Sequence, residues 1–169
     1  MSDNINLKRG LDIPVKGTAV RQLKKAIVPD IVALKPTDFR GLIPKLLVHE
    51  GDRVLAGSPV MADKADMSIL FTSPVRGTVR EIIRGEKRKL LEVRIEADKT
   101  VEYVDFGVKD PGKTSPEGIR SALLESGLWP ALVQRPYGII ASLQTVPKAI
   151  FISSSSTAPL APEIQFSLK

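Results

Sequence analysis

The strongest pattern of hydrophobic and polar positions lies within residues 47–96. Apolar and polar residues alternate through Lys89–Ala97, which predicts a half-buried strand. Gly77–Arg84 predicts a second strand, with Val79 and one of the two following isoleucines toward the core. The inward residues of the first strand are predicted to be Leu91, Val93 and Ile95. Shorter apolar runs between turn-forming residues predict four more strands, namely Ile31–Leu34, Leu42–Val48, Pro59–Ala62 and Ile69–Thr72.

Glycine-marked corners separate these short strands. Gly51-Asp52 and Gly57 are typical of tight turns that need a positive φ. A faint repeat links Val48–Asp52 to Ile82–Glu86, 34 residues later, because both runs end in glycine and an acidic residue. Two similar halves of short strands predict a flattened barrel, so the fold class is mainly β.

The pattern changes after Ala97. Val101–Phe106 predicts a strand, and Ser115-Pro116 predicts the start of a helix that Gly127 ends. Pro147–Ile152 predicts a buried strand. One helix–loop–strand unit is typical of the beginning of an incomplete α/β domain. We therefore predict a basic N-terminal arm at residues 1–27, a β module at 28–99 and the start of an α/β domain at 100–169, which continues beyond this chain.

Composition narrows the function classes. The 169 residues contain no cysteine, which excludes a disulfide scaffold, a cysteine nucleophile and cysteine-ligated iron–sulfur centres in this chain. The start has no apolar stretch typical of a secretory signal, and no run approaches the roughly 20 apolar residues of a membrane helix. The net charge of +6 falls within residues 1–100, which hold 19 Lys+Arg and 13 Asp+Glu. Without an aromatic stacking platform or a basic recognition helix, we expect no nucleic-acid partner.

Four of the basic residues cluster on one predicted hairpin, between the strands Gly77–Arg84 and Lys89–Ala97. Its cations are Arg84, Lys87, Arg88 and Lys89. They could contact an acidic surface of a partner protein or lipid headgroups. They could instead only keep a sheet edge soluble.

Single residues offer weaker candidates. His49 has no partners for a metal site and is interpreted as a partly buried turn residue. Asp52 is expected to accept backbone N–H groups of its turn. Asp63-Lys64-Ala65 resembles the DKA triplet around the acylated lysine of lipoyl carrier domains, but its distance from Gly51-Asp52 is short for such a hairpin, and a solvated lysine is the simpler interpretation of Lys64.

Gly107–Thr114 matches the P-loop pattern GxxxxGKT. Pro111 removes one phosphate-binding N–H, and Pro116 indicates that the helix begins after Lys113. We therefore interpret the match as a coincidence. Trp129 is expected in the core or at a contact between domains.

Several stretches carry a family resemblance. Residues 31–96, with GDRVLAG and SPVRGTV, resemble the barrel-sandwich hybrid of lipoyl and biotinyl carrier domains. The wider chain resembles the N-terminal part of the NqrA family, one of the subunits of the sodium-translocating NADH:quinone oxidoreductase (Nqr). The matching stretches are LKRGLDIPVKG, HEGDRVLAG, FTSPVRGTVREIIRGEKR, LLESGLWPALVQRPY and PKAIFIS. The related RnfC family shares the module but carries cysteine clusters, which this chain lacks.

The resemblance implies a peripheral subunit on the cytoplasmic side of the bacterial inner membrane. It implies other Nqr subunits as partners, especially the quinone-end membrane subunit, and no catalytic residues or activity in this fragment alone. It implies no cofactor bound by the fragment, ubiquinone or menaquinone for the full subunit, and NADH and flavins in the wider complex. The alternatives are a lipoyl- or biotinyl-type carrier acylated on Lys64 and an Rnf-like electron-transfer subunit.

Overall fold

A computed structural model describes residues 16–17, 20, 22, 29–108, 110–153 and 161. Every helix and strand in this part of the chain lies in one compact unit, Val28–Thr145. The predicted arm at 1–27 therefore lies almost entirely outside the described residues. No helix among the described residues combines the length and the apolar character needed to cross a membrane.

Two antiparallel sheets form the β module. One has the strand order β1-β7-β6-β3 and the other the order β2-β4-β5. The strands are β1 (Ile31–Leu34), β2 (Pro44–Leu46), β3 (Arg53–Val54), β4 (Pro59–Asp63), β5 (Leu70–Thr72), β6 (Gly77–Arg84) and β7 (Leu90–Ala97). The six strands predicted between Ile31 and Ala97 are all present, and Leu42–Val48 is shortened to β2. The mainly β fold class is confirmed.

The core lies on the inward faces of these strands. Val79 of β6 and Val93 and Ile95 of β7 are buried, as their alternation predicts. At the start of β7 the pattern fails, because Leu90 is buried whereas Leu91 is only half-buried. The ladder between β6 and β7 shifts register near the hairpin, because Ile83 pairs with Glu92 but Arg84 pairs with Leu90. Leu91 is the extra residue in β7, so it no longer follows the alternation.

Glycines allow the close turns of the module. Gly51 and Gly57 have φ of 91° and 97°, which a residue with a Cβ rarely adopts. The Asp52 carboxylate accepts the backbone N–H of His49 at 2.7 Å and closes the first of these turns, as predicted.

The described chain after β7 forms one bridge with the module, one α-helix and a small hairpin. Tyr103 forms a single parallel bridge with Ala56, so Val101–Phe106 is not the predicted strand. The helix α1 (Pro116–Glu125) begins at the predicted cap, where Ser115 Oγ accepts the Gly118 N–H at 3.1 Å. Gly127 follows it with φ of 71°. A small hairpin of β8 (Val133–Gln134) and β9 (Ile139–Ile140) completes the unit.

The predicted buried strand Pro147–Ile152 is wrong. This segment has no regular secondary structure, and Phe151 and Ile152 are 93% and 90% exposed. No described strand pairs with this segment. An apolar run indicates that a segment could be buried, but burial also needs a partner surface.

Candidate functional site

The basic hairpin joins β6 to β7 through a tight turn. The Gly85 N–H donates to the Lys89 carbonyl at 2.8 Å, and the Lys89 N–H donates to the Glu86 carbonyl at 3.1 Å. Lys87 and Arg88 have φ of 52° and 60°, an uncommon conformation for residues other than glycine. Two consecutive residues of this kind cost on the order of 1–2 kcal/mol each, so their positions are held by the surrounding hydrogen bonds.

The structure places the four predicted cations together on this hairpin, all of them exposed. Arg84 Nη1 donates to the Arg88 carbonyl at 3.3 Å, and none of the four forms an ion pair with a described carboxylate. Glu86 is the single acidic residue of residues 84–89, so this segment carries a formal charge of +3, four cations less one anion. The hairpin is therefore an exposed basic surface that no carboxylate of the described residues neutralises.

Two other arginines of the module, Arg53 and Arg76, are neutralised internally. Arg53 Nη2 lies 2.6 Å from Asp98 Oδ2, and Arg76 Nε lies 2.9 Å from the same oxygen. Arg76 also pairs with Glu102. The hydrogen bond from Arg53 lowers the pKa of Asp98, and the charge of Arg76 adds to this effect. This cluster joins the end of β7 to β3 and to the segment that follows, so its role is to hold these parts together.

A second internal pair lies across β6 and β7. Arg94 Nε lies 2.9 Å from Glu92 and its Nη1 lies 3.0 Å from Glu81. The hydrogen bond from Arg94 lowers the pKa of Glu92, and Lys35 contributes to the same shift. Against these neutralised groups, the hairpin cations stand out as available for an external anion.

A half-open cavity of about 220 Å³ adjoins the hairpin. It lies between the start of β7 and the segment after β1, which contains a 3-10 turn at Pro36–Asp38. No pattern in the sequence marks this segment as part of a site, because its residues indicate only a turn. The lining includes apolar residues and two cations, namely Pro36, Phe39, Leu42, Pro44, Arg40 and Lys89.

Lys64 lies on the exposed turn between β4 and β5, immediately after the end of β4. Its backbone N–H donates to the Ile43 carbonyl at 2.8 Å, which ties this end of the turn to the residue before β2. Asp66 accepts from Ser68 at the far end of the turn. The side chain is accessible, yet the lysine precedes the tip of the turn.

His49 is not partly buried as predicted, because its side chain is 91% exposed. The Asp52 carboxylate fixes the backbone of His49, while the imidazole projects into solvent with Nδ1 3.7 Å from the carboxylate. Among the described residues, no three His, Cys, Asp or Glu side chains come together as a metal site.

The P-loop match does not form a phosphate cradle in the described residues. Asp110 Oδ1 accepts the Gly112 N–H at 2.9 Å, and the Asp110 carbonyl accepts the Thr114 hydroxyl at 2.7 Å. Lys113 Nζ lies 3.7 Å from the Asp110 carboxylate. The helix begins at Pro116 instead of at the lysine. Donors that a phosphate would need are thus used by Asp110, which agrees with a coincidental match.

Trp129 packs against the core, and its Nε1–H donates to the Ala141 carbonyl at 2.8 Å. Its polar atom is therefore used within the fold, between the region after α1 and the end of the β8–β9 hairpin. This position agrees with the predicted core role.

Comparison with known proteins identifies the modules. Residues 5–98 match the family described as the NqrA N-terminal barrel-sandwich hybrid domain, and residues 114–169 match the NqrA second alpha/beta domain. The predicted order of a barrel-sandwich hybrid followed by an α/β domain is confirmed.

Curated relatives agree with these matches. The chain is 34% identical over 167 residues to the NqrA subunit of the Na(+)-translocating NADH-quinone reductase of Actinobacillus pleuropneumoniae serotype 5b, covering 98% of this chain and 37% of the relative. It is 36% identical over 163 residues to the NqrA subunit of Yersinia pestis, covering 95% and 36%. It is 37% identical over 163 residues to that of Pseudomonas aeruginosa, covering 95% and 37%. The chain thus spans just over a third of the length of these relatives.

Proposed function

Because the chain belongs to the NqrA family, we propose that it forms the N-terminal part of the NqrA subunit of a sodium-translocating NADH:quinone oxidoreductase. The observation that carries this proposal is the succession of two NqrA domain matches along one chain. The similarity to the NqrA subunits of three bacteria over nearly the whole chain supports it.

Within that complex, this region serves as a docking module of a peripheral subunit on the cytoplasmic side of the membrane. The other Nqr subunits are its partners and hold NADH and the flavins, and full-length NqrA contributes to the quinone end. The basic hairpin supports a docking role, because its cations are exposed and none is neutralised by a described carboxylate. The fragment supplies contacts and no catalytic group.

A complementation experiment tests this function. Membranes from a host that lacks its own NqrA receive the full-length protein, either native or with Arg84, Lys87, Arg88 and Lys89 all changed to Gln. We expect the native protein to restore sodium-stimulated quinone reduction by NADH and the quadruple variant to restore clearly less. The matched control changes four other exposed cations without a described ion pair, namely Lys45, Arg80, Lys99 and Arg120. Full restoration by the hairpin variant would exclude the hairpin as a docking surface, and no restoration by the native protein would contradict the proposed function.

The alternative carrier function rests on the exposure of Lys64. Intact-mass measurement of protein isolated from its native host decides it. A lipoyl or biotinyl increment that disappears in Lys64→Arg would support the carrier, and an unmodified mass supports the docking module.

A further inference from the structure

The basic hairpin and the neighbouring cavity share one residue. Leu34 at the end of β1 is paired with Val93 on β7, so the chain after β1 passes the beginning of β7. Residues 36–44 therefore line the cavity together with Lys89 and Leu90. Lys89 belongs both to the cavity and to the cationic turn, which makes the two features one continuous surface.

The apolar part of the cavity lining comes from Pro36, Phe39, Leu42, Pro44 and Leu90, beside the polar Thr37. Pro36 is buried, and the ring of Phe39 packs edge-on against Phe71 with 4.7 Å between ring centroids. Its volume of about 220 Å³ is below the roughly 300–1,000 Å³ of pockets that enclose small-molecule ligands. The space suits one apolar side chain.

Two cations border this space. Arg40 Nη1 donates to the Tyr137 carbonyl at 3.1 Å, which positions the guanidinium. Neither Arg40 nor Lys89 forms an ion pair with a described carboxylate. The acidic residues near the lining in sequence are Asp38, Glu86 and Glu92, and Glu92 is paired with Lys35 and Arg94. The cations of the cavity and the hairpin therefore outnumber the two remaining carboxylates.

We propose that the cavity and the hairpin together bind an acidic peptide segment that carries one apolar anchor side chain. This inference rests on the proposed function and names the chemistry of the partner that the docking module binds. The charge of the hairpin selects acidic residues, and the cavity accepts the anchor. An anionic bilayer would engage the hairpin through headgroup charge alone and offers no single apolar group to fill a cavity of this size.

A peptide-binding experiment with the 169-residue chain tests the proposal. The probe is a fluorescein-labelled peptide with acidic residues on both sides of one Phe, and its fluorescence anisotropy is followed. We expect saturable binding that weakens about tenfold when the Phe of the peptide is replaced by Ala. Lys89→Gln should weaken binding about two- to fivefold, as expected for an exposed ion pair. Lys99→Gln is the matched control, because it lies beyond the other end of β7, roughly 30 Å away along the strand.

Three results would overturn the proposal. Equal affinity for the Phe and Ala peptides would mean that the cavity takes no anchor. Equal weakening by Lys89→Gln and Lys99→Gln would mean that only net charge matters. Binding to vesicles that contain phosphatidylglycerol, without binding to either peptide, would identify a membrane surface instead. Thermal denaturation of each variant confirms that it remains folded.

The peptide result is separable from the proposed function. If the peptide does not bind but full-length NqrA still associates with the membrane subunits, only this inference fails. If the peptide binds but full-length NqrA does not associate with them, the proposed function fails while the peptide site stands.

Discussion

Gly77 is the position at which a single methyl group should damage the β module most directly. It begins β6, in the middle of the four-stranded sheet, where it is paired with Val54 of β3 and Ala97 of β7. A Cβ at this position would overlap the carbonyl oxygen of Glu96 and lie 2.9 Å from the carbonyl carbon. It would also lie 3.1 Å from Ile95 Cγ2, a fully buried side chain.

The cost of Gly77→Ala follows from these contacts. The added Cβ would collide with the backbone of Glu96 in the paired strand β7, so the clash is relieved only if β6 moves away from β7. Overpacking of this kind costs about 1–3 kcal/mol, and weakening one or two ladder hydrogen bonds adds about 1 kcal/mol each. The lower entropy of the unfolded chain with Ala offsets about 0.4–1 kcal/mol. We expect a net loss of about 2–4 kcal/mol in the free energy of unfolding.

Thermal and urea denaturation, followed by circular dichroism, measure this loss. At roughly 2–4 °C per kcal/mol for a chain of this length, the midpoint should fall by roughly 5–15 °C. Gly51→Ala is the control for backbone strain alone, because Gly51 has φ of 91° but no atom within 4 Å of the added Cβ. A Gly77→Ala midpoint within about 1 °C of the native chain would refute the steric argument.

Three further predictions follow from other contacts. Gly127→Ala should lower the free energy of unfolding by about 1–3 kcal/mol, because its φ is 71° and the new Cβ would lie 2.6 Å from Thr72 Oγ1 and Cγ2. Thr72→Ala should rescue part of this loss in a double-mutant cycle, and purely additive effects of the two substitutions would contradict the clash. The pKa of Asp98 is lower in the folded chain than in the unfolded chain, so the unfolded chain binds this proton more readily. The stability that Asp98 contributes is therefore fully present above its ordinary pKa of about 4 and is lost as the pH falls through the folded pKa. Urea midpoints between about pH 3 and 6 should therefore depend less on pH in Asp98→Asn, and an unchanged slope would speak against the Arg53 and Arg76 pairing as its cause. Magnesium ATP should not shift the thermal midpoint, since the Gly112 N–H and the Lys113 ammonium of the P-loop match already interact with the Asp110 carboxylate. A saturable rise of the midpoint that is lost in Lys113→Gln would instead indicate nucleotide binding.

The strands were predictable because their burial follows local alternation. Val93 and Ile95 are buried as the pattern indicates, and the Ser115 cap and Gly127 mark the helix correctly. The pattern failed at Leu91, because a register shift near the hairpin is a property of two strands and leaves no trace in either alone. It failed again at Pro147–Ile152, where apolar composition carries no information about which surface is present to cover it.

The candidate site was predictable only in part. The hairpin cations are adjacent in sequence, and their proximity follows from a short turn. Phe39 and Arg40 line one cavity with Lys89 only because β1 pairs with β7, about 60 residues further along the chain, so no local pattern could indicate the cavity. The exposure of His49 depends on the direction that Asp52 imposes on the turn, which composition does not specify.

Co-purification tests whether this region docks NqrA onto the other Nqr subunits through the basic hairpin. The full-length NqrA protein that contains this region is tagged and isolated from its host in mild detergent, and the accompanying proteins are identified. We expect the other Nqr subunits to accompany the native protein in a defined complex. The quadruple Gln variant of the hairpin should retain clearly less of these subunits, whereas the control variant of Lys45, Arg80, Lys99 and Arg120 should retain them. Isolation of the folded, native protein without any membrane subunit would contradict the proposed docking function.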